Sequence, residues 1–202
     1  MIRKIWLSCA LALLVLLPGG AGLAQEVPEF PRDDNYLLLE YSRYSLKLAE
    51  RDPTPLLRIY GSGRAVIYHP AYTSRAGVYE INLDESELAG IISRVVQAQL
   101  HEADSVGLVE AAEEAAISQE QQTGELFYSS DQTISELQVF VSSGGKTPLL
   151  MENLQTTDRR FPGLVQVGSF ASLERDLLAL AHGNIGAVKR APLSMQTLRG
   201  QQ

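Results

Sequence analysis

The sequence predicts an α+β fold: an antiparallel sheet built from β-hairpins, with amphipathic helices packed on one face. Three observations carry this expectation. Two β-rich runs, LLRIY and RAVIYHP, flank Gly61-Ser62-Gly63 and read as a hairpin. Leu88, Ile91, Ile92, Val95 and Val96 recur at helical spacing behind Asp84-Glu85-Ser86-Glu87, the pattern of a capped amphipathic helix. The same order of hairpin, loop and helix returns between 125 and 185, which suggests two hairpin–helix halves within one domain spanning 25–185.

Taken in chain order, QEVPEFPRDD (25–34) is polar, carries two prolines and reads as an extended lead-in. NYLLLEYSRYSLKL (35–48) is rich in β-formers and reads as a strand with a bulge near Ser42-Arg43. RDPTP is a loop. A two-residue turn at Ser62-Gly63 pairs Ile59 with Val66 and Leu57 with Tyr68. It assigns Leu57, Ile59, Val66 and Tyr68 to the core face. Arg58, Tyr60 and Ile67 fall on the other face, with His69 nearby. GVYEINL (77–83) alternates as a third strand. Asp84 caps the first helix, which ends near Leu100, and the first half spans about 35–104.

SVGLVEAAEEAAISQEQQ (105–122) has high helical propensity but only a weak apolar stripe. It reads as an exposed helix joining the halves, ended by Thr123-Gly124. In the second half, 125–185, Leu137–Val141 meets Pro148–Met151 around Gly144-Gly145. The stretch NLQTTDRRFPG is irregular, LVQVGS is a short strand or loop, and Ser169 caps a helix whose stripe is Leu173, Leu177 and Leu178. Gly183 supplies its stop. Residues 186–202 show no pattern and read as a flexible tail.

The first residues point to a compartment. Arg3 and Lys4 precede an apolar run from Ile5 to Leu17, broken by Pro18-Gly19-Gly20, with Gly22 and Ala24 placed for cleavage before Gln25. That is the anatomy of a secretory signal over residues 1–24, and the run is shorter than the roughly 20 residues a membrane span needs. The expected product is exported, periplasmic or secreted from a bacterium, and has no integral membrane segment. Cys9, the single cysteine, would leave with the leader, which excludes disulfides and thiolate chemistry in the remainder.

Charge and motifs narrow the chemistry. The chain has 17 Lys+Arg against 24 Asp+Glu, and loss of Arg3 and Lys4 takes the net charge to about −9 by formal counting. That argues against a nucleic-acid partner. Gly144-Gly145-Lys146-Thr147 resembles the end of a phosphate loop, but Phe140 stands where the first glycine belongs. Pro148 also stands where a helix must begin, so no nucleotide is expected. The histidines His69, His101 and His182 lack ligand spacing, and no metal or other cofactor is expected. Gly61-Ser62-Gly63 and Ser143 lie at turns rather than on a strand–helix elbow, so no catalytic residue is assigned.

Seven of the eight tyrosines lie between Tyr36 and Tyr79. Tyrosine is favoured in strands, yet it also joins contact area to a hydrogen-bonding tip. Arg58, Tyr60, His69 and Tyr72 are therefore the candidate binding residues. The run LRIYGSGRAVIYHP, followed by GVYEINLDESEL, resembles a group of uncharacterised bacterial exported proteins. In that group a strand-Gly-Asp-Gly-Arg-strand hairpin precedes a capped helix; Ser62 replaces the usual Asp. The resemblance spans about 55–100, has a fainter echo at 133–182, and implies a turn and a cap but no activity. The expected function is that of a non-catalytic binding or interaction protein of the cell envelope, its partner an envelope protein or extracellular ligand. The alternative is an envelope hydrolase with dispersed acidic residues.

Overall fold

The computed structural model describes residues 29–47, 52–126, 132–141 and 147–183, together with the strand pair Lys189–Arg190. The leader expected at 1–24, the turn expected at Gly144-Gly145 and most of the segment after 186 lie outside the described residues. The fold is α+β. The strands are β1 (Leu37–Ser45), β2 (Leu57–Tyr60), β3 (Arg64–His69), β4 (Gly77–Asn82), β5 (Thr133–Val139), β6 (Leu149–Glu152) and β7 (Lys189–Arg190). The helices are α1 (Glu85–Gln97), α2 (Ser105–Thr123), α3 (Leu154–Arg160) and α4 (Val165–Gly183).

One antiparallel sheet runs in the order β6-β5-β1-β2-β3-β4-β7. The two expected halves thus share a sheet, joined where β5 pairs with β1, with Tyr41 opposite Leu137. Inward-facing residues form rows across it. Leu137, Tyr41, Leu57, Ile67 and Tyr79 are successive ladder partners, and none is more than 4% exposed. Helices cover this face, with Leu88, Ile92, Val95 and Val96 of α1 and Phe170, Leu173 and Leu177 of α4 in the same apolar cluster. Burying side chains of this size stabilises the fold by about 1.5–3 kcal/mol each.

The α1 start follows its sequence signature. Asp84 accepts from the Glu87 N–H at 2.8 Å and the Glu87 carboxylate accepts from the Asp84 N–H at 2.9 Å, the reciprocal capping box. α2 begins behind Asp104 and ends at Gly124, φ +73°.

Five expectations are corrected. The β2–β3 loop has three residues, with the Gly63 N–H bonded to the Tyr60 carbonyl at 2.9 Å and Gly63 at φ +91°. Ile59 therefore pairs with Ala65 and Leu57 with Ile67. A one-residue slip exchanges the faces of a strand, so Ile67 and His69 point into the core and Val66 and Tyr68 point out. The cause is the lead-in, which docks on the turn. The Tyr36 carbonyl accepts from the Gly61 N–H at 2.8 Å and the Asp33 carbonyl from the Ser62 N–H at 3.2 Å. A Cβ at Gly61 would lie 1.9 Å from the Pro31 oxygen.

The irregularity in β1 falls between Leu37 and Leu39, not at Ser42-Arg43. NLQTTDRRFPG contains α3, and LVQVGS contributes the first turn and more of α4, so Ser169 is an interior helical residue. α4 buries Val167, Phe170, Ala171, Glu174, Leu177 and Ala181, a stripe at i, i+3, i+4 and i+7 that begins before Ser169. The segment expected to be patternless supplies β7, where Arg190 pairs opposite Tyr79 and Lys189 opposite Glu80.

Candidate functional site

The sheet face away from the helices is polar. Across it run Gln138, Glu40, Arg58, Val66 and Glu80 as successive ladder neighbours, all partly exposed. The charges are held in place by one another. The Arg58 Nε donates to the Glu40 carboxylate at 2.6 Å, with each side chain 20% exposed. Arg64 approaches Glu80 at 3.5 Å, donates to the Asp34 carbonyl at 2.8 Å and lies 3.9 Å over the Tyr60 ring, a cation–π contact. The Tyr68 hydroxyl donates to Asp52 at 2.5 Å, and this bond pushes the Tyr68 pKa up to about 12. Burial alone would raise the Asp52 carboxyl, but the bonds from Tyr68 and Thr54 outweigh it and hold Asp52 below its ordinary value.

The four sequence-derived candidates are not brought together. Arg58 and Tyr60 share the open face. Tyr72 is exposed on the β3–β4 loop, at the other end of the hairpin from Tyr60. His69 is buried on the helix-covered face, 4% exposed, because the register places it there.

Beneath the helices lie two buried polar clusters, one around Glu174 and one around the candidate His69, whose partners no local sequence pattern brings together. The first centres on Glu174, a fully buried carboxylate on α4. Tyr41 of β1 donates to its Oε1 at 2.6 Å, and Ser135 of β5 donates to the same oxygen. Gln155 of α3 donates to Oε2 at 2.5 Å, and the Arg43 Nε stands 3.9 Å from Oε1 at the solvent edge. Burying a carboxylate costs several kcal/mol unless such partners replace water. Burial, and then the adjacent carboxylate, raise the Tyr41 pKa far above its ordinary value, so its hydroxyl keeps the proton it donates. Gln155 in turn accepts from Arg175 at 2.9 Å, and Arg175 reaches Asp158 at 3.2 Å. The network ties β1, β5, α3 and α4 together. Its sequence signal was a glutamate in the middle of an apolar stripe, four residues after Phe170 and three before Leu177.

The second cluster lies at the C-terminal end of α4. His69 stacks on the exposed His182 with ring centroids 5.4 Å apart, and meets Tyr79 edge-on at 5.7 Å. The Ala181 backbone adjoins the ring, and among the described residues its buried Nε2 has no hydrogen-bond partner. Arg75 of the β3–β4 loop donates to the His182 carbonyl at 3.2 Å. Burial, with the nearby His182, lowers the His69 pKa.

A cleft of about 280 Å³ opens where the α1–α2 connection meets α4, lined by Gln99, Glu102, Ala103, Asp104, Gly107 and Gln166 among others. One Asp104 oxygen is committed to the Gly107 N–H at 2.7 Å. Among the described residues no group of three or more His, Asp or Glu is placed to hold a metal ion. No helix there is long and apolar enough to cross a membrane. Comparison with protein-family models, curated proteins and solved structures found no match to this chain.

Proposed function

We propose that this chain is an exported, non-catalytic binding protein of the bacterial cell envelope that receives a protein partner on the open face of its sheet. The observation that carries this reading is the row Gln138-Glu40-Arg58-Val66-Glu80, which faces solvent at the centre of the sheet. Its charges are already oriented by Glu40–Arg58 and Arg64–Glu80. Fixed charges of both signs favour a partner with the complementary pattern and penalise others. The leader anatomy at residues 1–24 supports export, and the excess of acidic residues disfavours nucleic acid.

The test is crosslinking in native envelopes from a photoreactive residue at Val66, with Arg58→Ala/Tyr60→Ala as the challenge. The double variant is expected to keep its circular dichroism spectrum and lose the crosslinked species. A Glu113→Lys variant on α2 is expected to retain it. Identical capture by wild type and the double variant rules out this face.

The cleft supports a second reading, an envelope hydrolase using Glu102 and Asp104. Release of soluble fragments from cell-wall material by wild type, abolished in Glu102→Gln, would establish it over the binding reading.

A further inference from the structure

The contact between α4 and the β3–β4 hairpin is built around a buried imidazole whose surroundings favour its neutral form. His69 is buried, and among the described residues its Nε2 has no partner. With no acceptor at hand for an N–H at Nε2, the neutral ring keeps its proton on Nδ1 and leaves only a bare acceptor at Nε2. Protonation would create a buried N–H with no acceptor, a costly state. It would also add a positive charge beside other bases.

The groups around His69 come from three elements. His182 on α4 stacks on it, Arg75 on the β3–β4 loop acts on it, and Tyr79 on β4 meets its edge. Across the next ladder, Arg190 pairs opposite Tyr79. The described charges acting on the ring, those of His182 and Arg75, are both basic. We propose that the His69–His182 stack is an acid-sensitive latch: in mild acid it opens and lets the last turn of α4 lift from the β3–β4 hairpin.

The direction follows from linkage. His69 titrates lower folded than unfolded, so the unfolded or opened form binds more protons through that interval. The latch is fully closed above the ordinary histidine value and weakens as pH falls below it. The Glu174 cluster at the middle of α4 has no histidine among its partners and serves as the internal reference.

Hydrogen exchange with mass spectrometry, corrected for intrinsic rates, would compare the α4 turn 178–183 with 170–175 at about pH 7.5 and about pH 5. Wild type is expected to lose protection at 178–183 by about tenfold or more in acid, a local opening, while 170–175 holds. In His69→Phe, which keeps a ring but no titratable nitrogen, the acid loss at 178–183 should vanish. Uniform protection in wild type at both pH values overturns the latch, as does an acid loss that persists in the variant. Should the variant not fold, NMR titration of the His69 ring in wild type decides. A midpoint below the ordinary value of about 6.5 supports the latch, and one at or above it overturns it.

Discussion

The two polar clusters under α4 are built on opposite terms. Around Glu174 the carboxylate meets Tyr41, Ser135, Gln155 and Arg43, with both oxygens bonded. Around His69 the ring Nε2 is buried bare among the described residues. Both sit beneath the same helix and both lack water access. The difference teaches that burial by itself does not decide whether a polar group rigidifies a fold. A group whose buried form has all its partners pins the elements that supply them. A group that is complete in only one protonation state holds only in that state.

The largest expected effect tests the pin. Glu174→Ala removes a buried side chain and leaves the Tyr41 and Ser135 hydroxyls and the Gln155 amide without their acceptor. We expect a loss of about 3 kcal/mol or more, read as a lower urea midpoint at unchanged slope. A loss near zero would mean that the cluster does not hold the fold together. Tyr41→Phe is milder. It deletes one hydrogen bond to a charged acceptor while keeping the ring, and should cost about 1.5–3 kcal/mol with the same urea assay. If it matches Glu174→Ala, Tyr41 carries the cluster alone.

Smaller still is Arg75→Ala at the other cluster. Arg75 is exposed and its bond to the His182 carbonyl is 3.2 Å, so at neutral pH it should cost less than about 1 kcal/mol. Removing a positive charge near His69 should also bring its titration closer to the ordinary value and shrink the acid weakening of α4, which exchange at 178–183 would register. No change would show that burial and His182, without Arg75, set the His69 titration.

The open face repeats the contrast at the surface. Glu40–Arg58 lies between Gln138 and Val66 rather than inside the core, and its charges are shared with solvent. Its expected part is in recognition more than in stability.

The local devices follow from neighbouring residues alone. The capping box at Asp84 and Glu87, the α1 stripe, the α2 boundaries at Asp104 and Gly124 and the alternation in β4 each depend on residues within a few positions of one another. Periodicity and end signals are read at that range. The tertiary structure decided what depends on distant partners. The lead-in at Pro31–Tyr36 set the three-residue loop at Gly61–Gly63, and with it which side of β3 faces inward. That reassignment moved His69 from the candidate face into the core. Tyr41 and Glu174 are 133 positions apart, and no local pattern announces that a hydroxyl on one strand will meet a carboxylate on the last helix. The α4 start has a related reason. LVQVGS (164–169) reads as a strand or loop by itself, and Val167 joins the helical stripe of Phe170 and Ala171 only because the sheet beneath gives that side something to bury against.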